Sequence, residues 1–175
     1  MELRNERGRA ALTARVRTWR EVFGCRRGAN RAYAIGNASE CQNSDLIDSA
    51  VVSGNFAALN VRTCSLYGTH SVVKLVHLGD GRVRFGSSPL STTGSEATYD
   101  AIRGMVVTAS GRLAWVGVRV ARGVVLDAEV RRRVPASSDR SDRLDSGSAI
   151  DPRSLRRRGT QVLWRHAGAA RSALI

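Results

Sequence analysis

Short apolar segments separated by polar, glycine-bearing turns run through the chain from Trp19 to Ile175. Three of them align on a glycine: 51–59 around Gly54, 106–116 around Gly111, and 155–164 around Gly159. In each, one short apolar strand enters the turn and a second leaves it. A second series follows an apolar strand with a polar turn, an arginine and a closing glycine: Asn30-Arg31 to Gly36, Gly81-Arg82 to Gly86, and Asp142-Arg143 to Gly147. Recurrence at intervals of about 50 to 60 residues predicts an array of small antiparallel sheets. One such unit cannot bury its own apolar face and must stack on a neighbour.

The alternation places the elements more closely. Strands are predicted over 19–25 and 31–35, then a hairpin of 46–52 with 56–61 across Ser53-Gly54-Asn55. The run 72–78 puts Val72, Lys74 and Val76 on one face, and the turn Gly79-Asp80-Gly81 delivers its partner 82–85. Further strands are expected over 102–108, 113–120, 124–134 and 143–145, and in the closing set 154–157, 161–166 and 171–175. A polar, Arg-rich lead over 1–18 reads as weakly helical or unordered. The expectation is an all-β fold of repeated antiparallel four-stranded meanders, propeller-like, with units near 19–36, 46–86, 101–147 and 150–175. So few units do not comfortably close the usual ring of blades, so an incomplete or fragmentary propeller is predicted.

Composition agrees with many short strands: 17 glycines supply tight turns and only 3 prolines interrupt strands. No apolar run reaches the roughly 18 residues of a membrane-spanning helix. The formal charge of +13 comes from 28 basic and 15 acidic residues, and Lys74 is the sole lysine. Such an excess is the footprint of a polyanion partner. The preferred reading is a high-GC coding bias toward arginine, since the arginines are scattered rather than gathered in one block. The two clusters Arg131-Arg132-Arg133 and Arg156-Arg157-Arg158 are the polyanion-contact candidates. On strands, alternate members face opposite sides.

Cys25, Cys41 and Cys64 lack metal-ligand spacing. Cys41 precedes the first hairpin and Cys64 follows it, so a Cys41–Cys64 disulfide is geometrically reasonable and would imply an oxidising compartment. Three buried thiols are the alternative. Met1 to Arg20 carries charge throughout and has no apolar core of a signal peptide.

Leu144-Asp145-Ser146-Gly147, Ile150-Asp151-Pro152, Ser154-Leu155, Gly159, Trp164 and Arg171-Ser172-Ala173-Leu174 form a C-terminal pattern. With Phe23-Gly24-Cys25 and the cysteine-flanked hairpin, it resembles exported β-propeller-like repeat proteins of high-GC Gram-positive bacteria, whose activity is not established. The resemblance implies a repeated β fold and an extracellular or cell-surface location. A cytoplasmic location is the alternative, given the charged N-terminus.

Catalytic constellations are not legible. Ser71-Val72-Val73-Lys74 matches Ser-x-x-Lys spacing, but in a β run its ends face opposite ways. His70, His77 and His166 have no ligand spacing, and Asp139, Asp142 and Asp145 recur every third residue rather than as a calcium loop. Trp115 and Trp164, at equivalent second-strand positions, suit packing between units better than base stacking. The sequence therefore predicts a non-enzymatic interaction or structural module for an unknown protein or surface ligand, with no catalytic residues, metal or cofactor. The alternative is a basic nucleic-acid-binding β protein.

Overall fold

Gly54, Gly111 and Gly159, the glycines on which the repeat aligns, all take left-handed backbone, with φ of 59°, 79° and 60°. Only glycine occupies that region without a side-chain penalty, so the repeated glycine is a repeated hairpin turn. The computed structural model describes residues 2–4, 10–14, 21–26, 31–37, 45–65, 68–91, 98–134 and 139–175.

The described residues form strands and turns and no helix. The first meander is β1 (Glu2–Arg4), β2 (Ala10–Ala14), β3 (Glu21–Arg26) and β4 (Ala32–Asn37). The second is β5 (Asp45–Ser53), β6 (Phe56–Ser65), β7 (Gly68–His77) and β8 (Val83–Ser87). The third is β9 (Tyr99–Val107), β10 (Leu113–Ala121), β11 (Val124–Arg133) and β12 (Ser141–Ser146). The last comprises β13 (Ile150–Arg158), β14 (Gln161–His166) and β15 (Ala169–Leu174). β1 and β2 lie where the polar composition predicts a weakly helical lead. Pairing of β2 along β3, from Ala10↔Arg26 to Ala14↔Val22, overrides that local preference.

Hydrogen bonding groups these strands into sheets of eight (β1–β8), four (β12-β11-β10-β9) and three (β13-β14-β15). Every pairing is antiparallel except β4 with β5, which meet in parallel at Asn37↔Leu46. Among the described residues that one bridge joins the first two meanders into a single sheet. Among the described residues the sheets do not close into a ring.

Period-two alternation sends each middle strand into two cores. On β6, Ala57, Leu59 and Val61 pack with Val22, Val76 and Leu78, while Ala58 turns to the opposite face. There Ala58, Val73, Leu75 and Phe85 meet Ile102, Met105, Val107, Leu113 and Trp115 of the third meander. The other face of β10, Ala114, Val116, Val118 and Val120, meets Ile150, Val162, Trp164 and Ile175 of the last. Three apolar layers thus separate four consecutive meanders, and β9 lies against both β5 and β13, so the first strands of successive meanders are neighbours.

The two repeat tryptophans share one role. Trp115 is fully buried and donates Nε1–H to Pro89 O at 3.0 Å, and Trp164 donates to Asp145 Oδ2 at 2.7 Å. In each case the second strand of a meander anchors the chain segment that enters it.

Candidate functional site

The face shared by the second and third meanders changes character along its length. On β6 it reads Ala58, Asn60, Arg62; on β7 it reads Leu75, Val73, Ser71. At the apolar end it meets the core around Trp115. At the polar end it parts from β9 and leaves a cleft of ≈ 510 Å³ bounded by β5, β6, β7 and the first half of β9. Asp48, Ser49, Asn60, Arg62, Ser71 and the run Tyr99 to Arg103 line it.

Two of the wall strands, β5 and β9, carry a β-bulge at this cleft. On β5, Ile47 pairs with Val61 and Ser49 with Asn60, leaving Asp48 as the extra residue. On β9, Ile102 pairs with Gly117 and Gly104 with Val116, leaving Arg103 as the extra residue. A bulge bends its strand and re-aims the inserted side chain. Both inserted residues, one acidic and one basic, line the same cleft.

Two ion pairs frame the site. The Arg62 guanidinium grips the Asp48 carboxylate through both Nε, at 3.1 Å, and Nη2. Arg119 holds Asp100 the same way, with Nε–Oδ1 at 3.0 Å and Nη2–Oδ2 at 3.3 Å. The hydrogen bonds to Asp48 and Asp100 push the pKa of Arg62 and of Arg119 up, against an opposing effect of burial. Arg103 is exposed and pairs with no carboxylate among the described residues. At the floor, Asn60 is 7% exposed; its amide donates to Ile102 O at 3.4 Å, and its Oδ1 is buried without a hydrogen-bond partner. An unpaired buried acceptor of this kind favours any donor that enters the cleft.

The arginine clusters separate in the structure. Arg131 is buried, with Nη1 on Glu129 Oε2 at 2.8 Å and Nη2 on Ser141 Oγ at 2.7 Å. Arg132 bonds Asp142 and Leu174 O, and Arg133 lies over the Phe85 ring and donates to Gly111 O. The first cluster is therefore engaged inside the fold. Arg156 and Arg158 are exposed on the outward face of the last sheet, and Arg165 joins them there; Arg157 turns the other way and donates to Gly159 O.

Cys64 lies on β6, while Cys41 falls outside the described residues, and the expected Cys41–Cys64 bridge with it. Ser71 lines the cleft while Lys74 shares the opposite face with Leu59, so the Ser-x-x-Lys pair is split across the sheet. His166 Nδ1 sits 3.0 Å from Asp145 Oδ2, the carboxylate that also takes the Trp164 N–H. Asp142 serves Arg132. Among the described residues no three His, Cys, Asp or Glu side chains gather as a metal site.

No family model, curated protein or solved structure matches the chain.

Apart from Ser71, the cleft residues were not legible as a site, yet a signal was present. Apolar positions Ile47, Ala50, Val52 and Ile102, Met105, Val107 each step by three and then two. That slip in a period-two pattern is the imprint of a bulge, and it occurs at equivalent places in two repeats.

Proposed function

We propose that the chain is a propeller-like, non-enzymatic interaction module of an exported or surface-associated protein, and that it binds its ligand in the cleft beside β9. The observation that carries this reading is the pair of bulges that direct Asp48 and Arg103 into one cavity. The stacking of four meanders with neighbouring first strands supports the propeller-like arrangement. Clefts between such units are where repeat folds present variable side chains on a fixed scaffold. Export rests on the family resemblance and on the candidate cysteine pair. The test is a thermal-shift screen of a broad panel of sugars, organic acids, amino acids and nucleotides against the whole chain and against Arg103→Gln. A compound that raises Tm of the parent and not of the variant, and is recovered unchanged, supports the module. A panel without any such compound, or one in which a hit is turned over, overturns it.

One observation favours a second reading, a basic nucleic-acid-binding β protein. Arg156, Arg158 and Arg165 stand exposed on one sheet face without ion-pair partners among the described residues. Binding of single-stranded DNA that weakens steeply with salt and is lost in the triple Gln variant would put this reading first.

A further inference from the structure

We infer that the ligand of the cleft is a sugar acid, a polyhydroxylated molecule with one carboxylate such as a hexuronate; this rests on the module reading above. The chemistry of the lining sets four requirements. First, Asn60 Oδ1 lacks a donor, and a hydroxyl supplies one. Second, Asp48 and Asp100 are each held by one guanidinium, which leaves lone pairs on both carboxylates to accept further hydroxyl hydrogens. The hydroxyls of Ser49 and Ser71 add groups that both donate and accept. This is an array for a molecule with several vicinal hydroxyls.

Third, the ion pairs Arg62–Asp48 and Arg119–Asp100 cancel internally, so Arg103 is the uncompensated charge at the site. A guanidinium takes a carboxylate through two parallel hydrogen bonds, and the bulge that inserts Arg103 aims it at this cleft. With both pairs neutral, the site offers one net positive charge, which matches a single carboxylate rather than a polyanion. Fourth, the apolar contribution is small: Ile102 is the apolar side chain of the lining on the face toward β6, while Ala101 packs on the core of the last meander and Tyr99 shares its face by period-two alternation. A wholly apolar ligand finds little to bury against, whereas a polyhydroxylated one needs little apolar surface. The volume of ≈ 510 Å³ lies within the usual range for small-ligand cavities.

The experiment is calorimetric titration of the whole chain with sodium glucuronate and sodium galacturonate, with glucose, galactose and acetate as reference probes. One uronate is expected to bind saturably at one site, at least about tenfold more tightly than its neutral sugar, with acetate weaker than both, since each lost charge-assisted contact is worth about a factor of ten or more. Arg103→Gln should remove the advantage of the uronate and leave the affinity for the neutral sugar within about twofold. Arg156→Gln, on the far sheet face, should change neither. Equal affinity for acid and neutral sugar, or a uronate affinity indifferent to Arg103→Gln, overturns the assignment. So does absence of binding by both uronates. If the screen for the module meanwhile yields another Arg103-dependent ligand, only the sugar-acid assignment falls; if it yields none, both do.

Discussion

Ser91 donates both its hydroxyl and its backbone N–H to Glu129, at 2.5 and 3.0 Å, and so fastens the segment that leads into β9 onto β11. Glu129 is 3% exposed and is the same carboxylate that holds buried Arg131. Arg143 approaches its other oxygen at 3.6 Å. A buried charge pair of this kind contributes little net stability while intact, but removal of one partner strands the other. Glu129→Ala is therefore expected to destabilise the protein by about 3–5 kcal/mol. Glu129→Gln, which keeps a hydrogen-bonding side chain, should cost about 1–3 kcal/mol. Urea unfolding followed by tryptophan fluorescence measures both, and a Glu129→Ala midpoint equal to that of the parent would contradict this account.

The same carboxylate makes stability sensitive to acid. Burial alone would raise the Glu129 pKa, but the two Ser91 hydrogen bonds and Arg131 outweigh it and the net shift is downward. Asp145 behaves alike: burial opposes ionisation, while the Trp164 N–H, His166 and the Ser146 N–H together lower its pKa. A carboxylate whose folded pKa lies below its unfolded value binds fewer protons in the native state. Its contribution is full above the unfolded value and is lost as pH falls through the folded one. The loss should begin near pH 4 to 4.5, about where unfolded Asp and Glu titrate, and continue below it. Thermal unfolding from pH 7 down to about pH 2.5 tests this. Tm of Glu129→Gln should fall less steeply over the acid limb than that of the parent.

Gly117 is the point of closest approach between β10 and the segment ahead of β9. A Cβ placed there would lie 2.0 Å from Pro89 O and 2.5 Å from Pro89 C. The same carbonyl accepts the Trp115 N–H, so a side chain at Gly117 and the Trp115 bond cannot coexist. Gly117→Ala should cost roughly 1–3 kcal/mol or more and shift Trp115 emission to the red as the segment lifts. Trp115→Ala, which empties a fully buried site against Phe85, should cost about 3–5 kcal/mol. Gly86→Ala meets no atom within 4 Å and should stay within about 0.5 kcal/mol of the parent. Denaturation midpoints are the check, with Trp115→Ala the most destabilised, Gly117→Ala next and Gly86→Ala least.

The hairpins were legible because glycine carries a backbone requirement that is local: Gly54 and Gly111 mark their turns in the sequence and hold φ of 59° and 79° in the fold. The inter-sheet tryptophans were legible because position within a repeat fixes which face a residue takes. The cleft was not, because its polar residues are distant in sequence and gain meaning only when β5, β6, β7 and β9 meet. Asn60 between Leu59 and Val61 reads as one polar position in an apolar strand. That its Oδ1 lacks a partner is a property of the assembled face. The fate of the arginine triplets was likewise non-local: Arg131 is buried because Glu129 and Ser141 converge on it, whereas Arg156 and Arg158 have an outward sheet face.

The bulges offer the sharpest separation between architecture and site. Arg103→Ala keeps the inserted residue, so β9 should retain its register and stability should change by no more than about 0.5 kcal/mol. Deletion of Arg103 joins Ile102 directly to Gly104, whose partners Gly117 and Val116 are already consecutive on β10. The ladder then runs without the bulge, so Ile102 keeps its place in the core shared with Trp115 and Asp100 keeps its pair with Arg119. What the deletion removes is the local bend of β9 together with the guanidinium in the cleft. It should cost about 1–3 kcal/mol, because the straightened backbone no longer follows the packing built around the bend. Urea midpoints compare the two variants, and amide exchange across Tyr99–Val107 reports the register, which both should keep. Equal stability of the deletion and the alanine variant would show that the bend at Arg103 contributes nothing to the packing of β9.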